Sequence, residues 1–216
     1  MDLDRSNHYS LRRREVVKML LDQRDSGMLI VAGLGAPTWD VTAVGDEPLN
    51  FPLWGAMGGA VSIGLGLAIA QPTRRILVIT GDGEMLMGLG SLATVSIQSP
   101  SNLAILVLDN ERYGETGMQA THTAGNVDLA AVARATGFSE CHNIDNKKRL
   151  CSLLPHIHNG EGPLFFNVKV RAENLPLVLP PKDGAFLKDR FRVALFGSDA
   201  VRSKSQNLVV PLPGER

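Results

Sequence analysis

The stretch ILVITGDGEMLMGLGSLATVSIQSPSNLAILVLDNERYGETGMQ, Ile76 to Gln119, decides the fold. Ile76–Ile79 and Leu103–Leu108 are uncharged apolar runs with the character of strands buried on both faces. Between them Leu86, Leu89, Leu92, Ala93 and Ile97 recur close to a 3.6-residue period, which predicts a single helix over 85–97. Two parallel strands joined by a helix form a βαβ unit, and ligands of such sheets sit at the carboxyl ends of the strands. Both ends are polar here: Gly81-Asp82-Gly83 closes the first strand and Asp109-Asn110 the second. The two glycines let a backbone approach an anion, and the following helix offers free N–H groups and the positive end of its dipole. Asp82 and Asn110 are hard oxygen ligands, suited to Mg²⁺ or Ca²⁺ carried in with a diphosphate. An isolated Asp-Gly is a common turn. This one follows a strand, opens a helix and is answered by Asn110 after 26 residues, Glu84 to Asp109, the length a helix and a returning strand need.

Working outward, the expected fold class is α/β, a doubly wound parallel sheet flanked by helices. The 216 residues suffice for one core, read as a mobile segment 1–9, a domain 10–196 and a frayed tail 197–216. Lysines plus arginines equal the acidic residues at 22 each, so no net field favours nucleic acid or an anionic membrane surface. Cys141 and Cys151 match no zinc spacing and, with no secretory signal at the N-terminus, fit a reduced cytoplasm as ordinary thiols.

Ser10 is positioned to cap a helix reaching about Arg24, with Leu11, Val16, Met19 and Leu20 on one face and Arg12-Arg13-Arg14 on a solvated opposite face. Met28–Ala32 reads as a buried strand, Gly33-Leu34-Gly35 as a turn at the same sheet edge as the Gly81–Gly83 loop, and Pro37 as the first turn of a helix holding Trp39. Leu53–Ala70 runs 18 residues without a charge, a membrane-span length. Its five glycines, the lack of a basic flank and the lack of a second span favour instead a buried helix whose glycines admit a backbone, a cofactor or another subunit. After Asn110 comes a Gly-broken loop at the catalytic edge, with Tyr113, Glu115, Thr116, Gln119 and His122 as candidate substrate contacts. His122 reads equally as a general acid and as a surface histidine. A helix over 127–136 with Asp128 in its first turn ends at Gly137, and another is expected over 143–154. His156 and His158 follow on an expected exposed turn, with no third metal ligand nearby in sequence. A strand over 163–170, a Pro-rich segment 175–181 and a helix over 183–195 complete the chain.

The Gly81-Asp82-Gly83 triplet followed 26 residues later by Asn110 resembles the thiamine diphosphate motif. In that motif the Asp, the Asn and a main-chain carbonyl two residues on bind Mg²⁺, here Asp82, Asn110 and the carbonyl of Arg112. Over about residues 11–195 the chain is similar to the branch formed by the β subunits of sulfopyruvate decarboxylases and the C-terminal halves of phosphonopyruvate decarboxylases. The stretches GAMGGAVSIGLGLAIAQP, GDGEMLMGLGSLATV, LDNERYGETGMQ, VDLAAVARATGF and FLKDRFRVAL carry the resemblance. The chain departs at Met118, where this branch often has Gly, which leaves the substrate open. The resemblance implies a TPP-dependent 2-oxoacid carboxy-lyase acting on a small anionic 2-oxoacid. Gly55 would accept from the aminopyrimidine, Met57 would prop the bent cofactor, Gly81 would border the diphosphate, and Gly83 and Glu84 amides would bind it. Asp82, Asn110 and Arg112 would hold the metal, with Tyr113, Glu115 and His122 left as catalytic candidates, Tyr113 also against the cofactor.

The family's activating Glu belongs to a pyrimidine-binding domain that this length does not accommodate, so the resemblance implies a separate pyrimidine-binding subunit and a hetero-oligomer. Another TPP reaction, carboligation or 2-oxoacid oxidoreduction, and a non-catalytic diphosphate-binding module are the alternatives. Two cysteines cannot hold a four-thiolate iron–sulfur cluster, which counts against ferredoxin-linked oxidation unless a partner carries the cluster.

Overall fold

A computed structural model describes residues 4–202. In chain order the elements are α1 (Arg13–Leu21), β1 (Leu29–Ala32), α2 (Ala36–Val44), β2 (Asn50–Pro52), α3 (Ala60–Ala70), β3 (Ile76–Gly81), α4 (Asp82–Met87), α5 (Ser91–Gln98) and β4 (Leu103–Asp109). A small antiparallel pair follows, β5 (Arg112–Tyr113) and β6 (Gln119–Ala120), then α6 (Leu129–Ala135), β7 (Glu140–Ile144), α7 (Lys147–Asn159), β8 (Leu164–Lys169), α8 (Gly184–Phe196) and α9 (Asp199–Arg202). Six strands form one sheet in the order β2-β1-β3-β4-β8-β7, every neighbouring pair parallel.

Because side chains alternate across a strand, each central strand feeds two cores. Leu29, Val31, Ile76, Val78, Leu103, Ile105 and Phe165 face one side, where α3, α5, α6 and α8 pack. Ile30, Leu77, Ile79, Leu106, Leu164 and Phe166 face the other, where α1 and α7 pack. The α/β expectation is met, and α6 and α8 are capped by Asp128 and Asp183, whose carboxylates accept from first-turn amides.

Several local expectations are corrected. The helix expected over 85–97 is two: α4 starts at Asp82 and ends at Gly88, where a Cβ would overlap the Gly58 carbonyl, and α5 starts at Ser91. The apolar run 53–70 is not one helix. Leu53 N–H donates to the Ala32 carbonyl, Ala56 and Gly58 take φ of 57° and 92°, and only Ala60–Ala70 is helical. No helix among the described residues is long and apolar enough to cross a membrane. At the N-terminus, α1 begins at Arg13 without a side-chain cap, and the Ser10 hydroxyl donates to the Asp145 carbonyl instead. Four strands are not foreseen by the sequence: β2 and β7 of the main sheet, and the short β5–β6 pair inside the segment expected to be a loop. The helix expected from Asn143 starts at Lys147, capped by Asn146, and runs through His156 and His158.

The arginine run is solvated only in part: Arg12 is exposed, Arg14 half-buried and Arg13 buried. Arg13 and Arg14 both donate to the fully buried Asp40, at 2.6 and 3.0 Å, and Arg12 pairs with Glu173. A carboxylate on α2 recruits two of them because its burial needs compensating charge. Within the segment expected to be mobile, residues 5–8 form a 3₁₀ turn, and Arg5 donates through Nε and Nη2 to the Glu111 carboxylate and through Nη2 to the Thr123 carbonyl. Of the expected tail, Asp199–Arg202 is helical, and residues 203–216 lie outside the described residues.

The glycines of α3 divide into two kinds. A Cβ at Gly64 would overlap Val78 of β3, whereas at Gly66 it would meet nothing within 4 Å. Gly64→Ala is therefore expected to lower stability by about 1–3 kcal/mol, a fall in Tm of roughly 2–10 °C at this chain length. Gly66→Ala, with the same change in helix propensity, is expected to be neutral or stabilising by up to about 1 kcal/mol. Calorimetry of the two variants checks the pair, and equal losses would contradict the packing described.

Candidate active site at the carboxyl edge of the sheet

β3 and β4 lie side by side with Gly81 opposite Leu108, so Asp82 and Asn110 leave neighbouring strands at the same edge. They line a cleft of about 410 Å³. Of the residues expected there, Met57, Gly81, Asp82, Gly83, Glu84, Asn110, Arg112, Tyr113 and Glu115 all border it. Gly55, two residues before Met57, lies on the exposed β2–α3 connection, and His122 sits exposed in a 3₁₀ turn, neither bordering the cleft. A larger cleft of about 530 Å³, between Leu21, Arg24, Glu47 and Ala194, opens at the opposite, amino ends of the strands and contains none of these groups.

Asp82 is 2% exposed. Its Oδ2 accepts from the Thr121 hydroxyl at 2.6 Å and the Thr123 hydroxyl at 3.1 Å. Burial first, and then the like charge of Asp109, push its pKa up. Asp109 is itself fully buried, accepting from Thr123 and from Asn167, with Lys169 Nζ 2.7 Å from Oδ2. A buried carboxylate bonded by hydroxyls and repelled by a second carboxylate is a donor that a cation would stabilise. Asn110, 8% exposed, accepts the Arg112 N–H at 3.0 Å through Oδ1, an Asx turn that brings the Arg112 main chain back to the strand end. The donor set of one carboxylate, one amide oxygen and one backbone carbonyl thus fits a hard divalent cation beside a diphosphate.

Several functional contacts were not foreseen. Glu84 does more than present an amide: its side chain is 3% exposed and accepts from Thr80 Oγ1 at 2.7 Å. Its other oxygen makes no well-formed hydrogen bond, yet the amides of Gly58, Ala60 and Leu34 face the carboxylate and offset part of the burial that raises its pKa. This side chain ties the ends of β1 and β3 to the start of α3. The Gly33-Leu34-Gly35 turn makes room for it: a Cβ at Gly33 would overlap Glu84 Oε2, and one at Gly35 would press on the Glu115 side chain. Glu115 in turn accepts from Trp39 Nε1 at 3.0 Å, fixing the 3₁₀ turn Gly114–Thr116 over α2. The Tyr113 ring lies on Gly83, where a Cβ would meet it at 2.6 Å.

Glu111 was also missed, since nothing in its sequence neighbourhood marks it as buried. It is fully buried with φ of 61°, and Arg5, Tyr9 and Lys169 all donate to its carboxylate. Burial opposes its charge, and the three donors together hold its pKa below the ordinary glutamate value. Three donors on one side chain over-determine the strained backbone next to Asn110. Met118, the departure from the expected glycine, likewise adopts φ of 62°.

Comparisons with known proteins bear on the family and the fold. The family described as thiamine pyrophosphate enzyme, C-terminal TPP binding domain, matches residues 37–168. The sulfopyruvate decarboxylase subunit beta of Methanothermobacter thermautotrophicus is 39% identical over 163 residues, 76% of this chain and 84% of that one. The phosphonopyruvate decarboxylase of Streptomyces hygroscopicus is 35% identical over 170 residues, 79% of this chain but 42% of its own length. Among solved structures, benzoylformate decarboxylase from Polynucleobacter necessarius superposes with a TM-score of 0.61 at 17% identity, covering 78% of this chain and 34% of that one. Strand order, the paired Asp82 and Asn110 and the matched profile converge, and the chain belongs to the thiamine pyrophosphate enzymes, as a C-terminal TPP binding domain.

Proposed function

We propose that the chain is the diphosphate-binding, β-type subunit of a thiamine diphosphate-dependent decarboxylase of small anionic 2-oxoacids, sulfopyruvate or phosphonopyruvate being the type. The observation that carries the reading is Asp82, buried between hydroxyls beside Asp109 and sharing a cleft with Asn110. Asp82, Asn110 and the Arg112 carbonyl hold Mg²⁺, and the Gly83 and Glu84 amides donate to the diphosphate. Thiamine diphosphate, when bound, supplies the electron sink for loss of CO₂ from the 2-oxoacid.

The chain's own side chains do the rest. Thr121 and Thr123 aim Asp82 at the cation, and Lys169 neutralises Asp109 so that the repulsion between the two carboxylates does not expel it. Met57, 41% exposed on the cleft wall, would prop the thiamine diphosphate, and the carbonyl of Gly55, two residues before it and outside the cleft lining, would accept from the aminopyrimidine. Tyr113 and Glu115 close the cleft from the loop, the latter anchored by Trp39. Arg112 and Arg13 bring positive charge to the same wall, in keeping with an anionic substrate, although Arg13 is already bonded to Asp40 and the Glu173 carbonyl. The subunit naming of the relatives supports a companion that carries the pyrimidine-binding domain and the Glu that activates the cofactor. His122, exposed outside the cleft, is assigned no step on this chain alone.

Trp54 and Trp39, the two tryptophans, pack at 5.2 Å beside Met57 and report on the cleft. Adding thiamine diphosphate with Mg²⁺ is expected to quench their fluorescence, and chelating the metal to restore it. Asp82→Ala and Asn110→Ala should each weaken this binding by at least roughly 10–100-fold. Unchanged Mg²⁺-dependent affinity in Asp82→Ala would sink the metal assignment. In a second measurement, the purified chain is expected to bind cofactor without releasing CO₂ from sulfopyruvate or phosphonopyruvate, and to do so once its co-purifying companion is added. Full turnover by the chain alone would contradict the split site, and a chain that binds no cofactor would contradict the reading altogether.

A further inference from the structure

A cluster away from the cleft remains unexplained by the decarboxylase reading. Glu140 and His142 stand two residues apart on β7, the edge strand, and so project from the same face. His156 reaches them from the third turn of α7. The two imidazole Nε2 atoms converge on one carboxylate oxygen, Glu140 Oε2, at 3.4 Å from His142 and 2.7 Å from His156, and one ligand atom from each of the three residues lies within 4.8 Å of the other two. The rings are held from behind. His142 stacks on Phe166 at 18° and 5.4 Å, and His156 meets the same ring edge-on at 81°.

We propose that Glu140, His142 and His156 form a binding site for a first-row divalent cation, Zn²⁺ above all. Two imidazoles and a carboxylate are a recurrent three-ligand zinc set whose fourth position is open to water. Tetrahedral bonds of 2.0–2.2 Å place ligand atoms about 3.3–3.5 Å apart. The Glu140–His142 separation already has that value, the Glu140–His156 contact opens by about 0.7 Å, and the two imidazoles close from at most 4.8 Å, all within reach of rotamer adjustment. The side chains are 44%, 21% and 32% exposed, so the ion has a route in and a water can complete the shell. One group opposes it: Arg149 Nη2 lies 3.3 Å from His142 Nδ1, the nitrogen that carries the proton once Nε2 binds metal. Arg149 is an exposed side chain on the first turn of α7 and swings aside toward water. His158, the other half of the His-x-His pair, is excluded, since it is buried and bonded to the Leu20 carbonyl. An ion here clamps α7 to the unprotected edge of the sheet and takes no part in decarboxylation.

The test uses the full chain, freed of metal by chelation and kept in excess Mg²⁺ to fill the cleft. Calorimetric titration with Zn²⁺ alone is expected to show one site, with Zn²⁺ raising Tm. His156→Gln and Glu140→Gln should each weaken that site at least roughly tenfold and abolish the rise in Tm. Asp82→Asn, which alters only the cleft, should leave both readouts unchanged. Absence of Zn²⁺ binding by the wild-type chain, or equal binding by the wild type and His156→Gln, would show that the three residues are an ion-paired cluster only and overturn the proposal.

Discussion

Two carboxylates lie buried side by side at the carboxyl edge of the sheet, because β3 and β4 are adjacent parallel strands and each ends in an aspartate or leads into one. In a low-dielectric interior such a pair is costly unless other groups share the charge. The rest of the structure is arranged around that requirement. The loop after Asn110 must fold back so that Thr121 and Thr123 reach Asp82, and Thr123 also bonds Asp109. β8 must pair with β4 so that Lys169 stands between Asp109 and Glu111. Glu111 then recruits Arg5 and Tyr9, which fastens the N-terminal segment across the same edge. What holds the candidate metal ligands is therefore a chain of charges running from the first described residues to the last strand of the sheet.

Close packing works at the same edge on a smaller scale. Gly33 and Gly35 leave space for the side chains of Glu84, on α4, and Glu115, on the loop after β5. Gly88 lets α4 end against the Gly58 carbonyl, so the helix carrying the Gly81–Gly83 turn is short and locked to the β2–α3 connection on which Met57 stands. The candidate cofactor-facing residues thus come from separate connections whose relative placement depends on the absence of three methyl groups, at Gly33, Gly35 and Gly88. Interiors packed this tightly do not relax around an added atom without cost.

The charged residues show where reading along the chain stops. Arg12-Arg13-Arg14 beside Glu15 has the local composition of a solvated helix, and α1 does present an apolar face over Val16, Val17 and Leu20. That Arg13 is nevertheless buried depends on Asp40, 27 residues away on a different helix. Likewise His156 stands alone in its own helix, and Glu140 joins it only because the last strand of the chain inserts between β4 and β7 and brings the edge strand under α7.

The amino-acid sequence by itself determined four of the six parallel strands, β1, β3, β4 and β8, the polar turns that close β3 and β4, and the spacing that sets Asp82 against Asn110. These are local patterns, with periods of two or 3.6 residues and short motifs whose meaning survives without knowledge of distant partners. It also carried the family resemblance, which rests on contiguous stretches. Tertiary structure alone decided that one expected helix breaks at Gly88, that Glu84 and Glu111 are buried anchors, that Arg13 is internal and that His122 stands apart from the cleft. Each of those outcomes turns on a contact between residues far apart in the chain. Burial of a charge is decided by the partner that compensates it, and strand order, not sequence order, selects that partner.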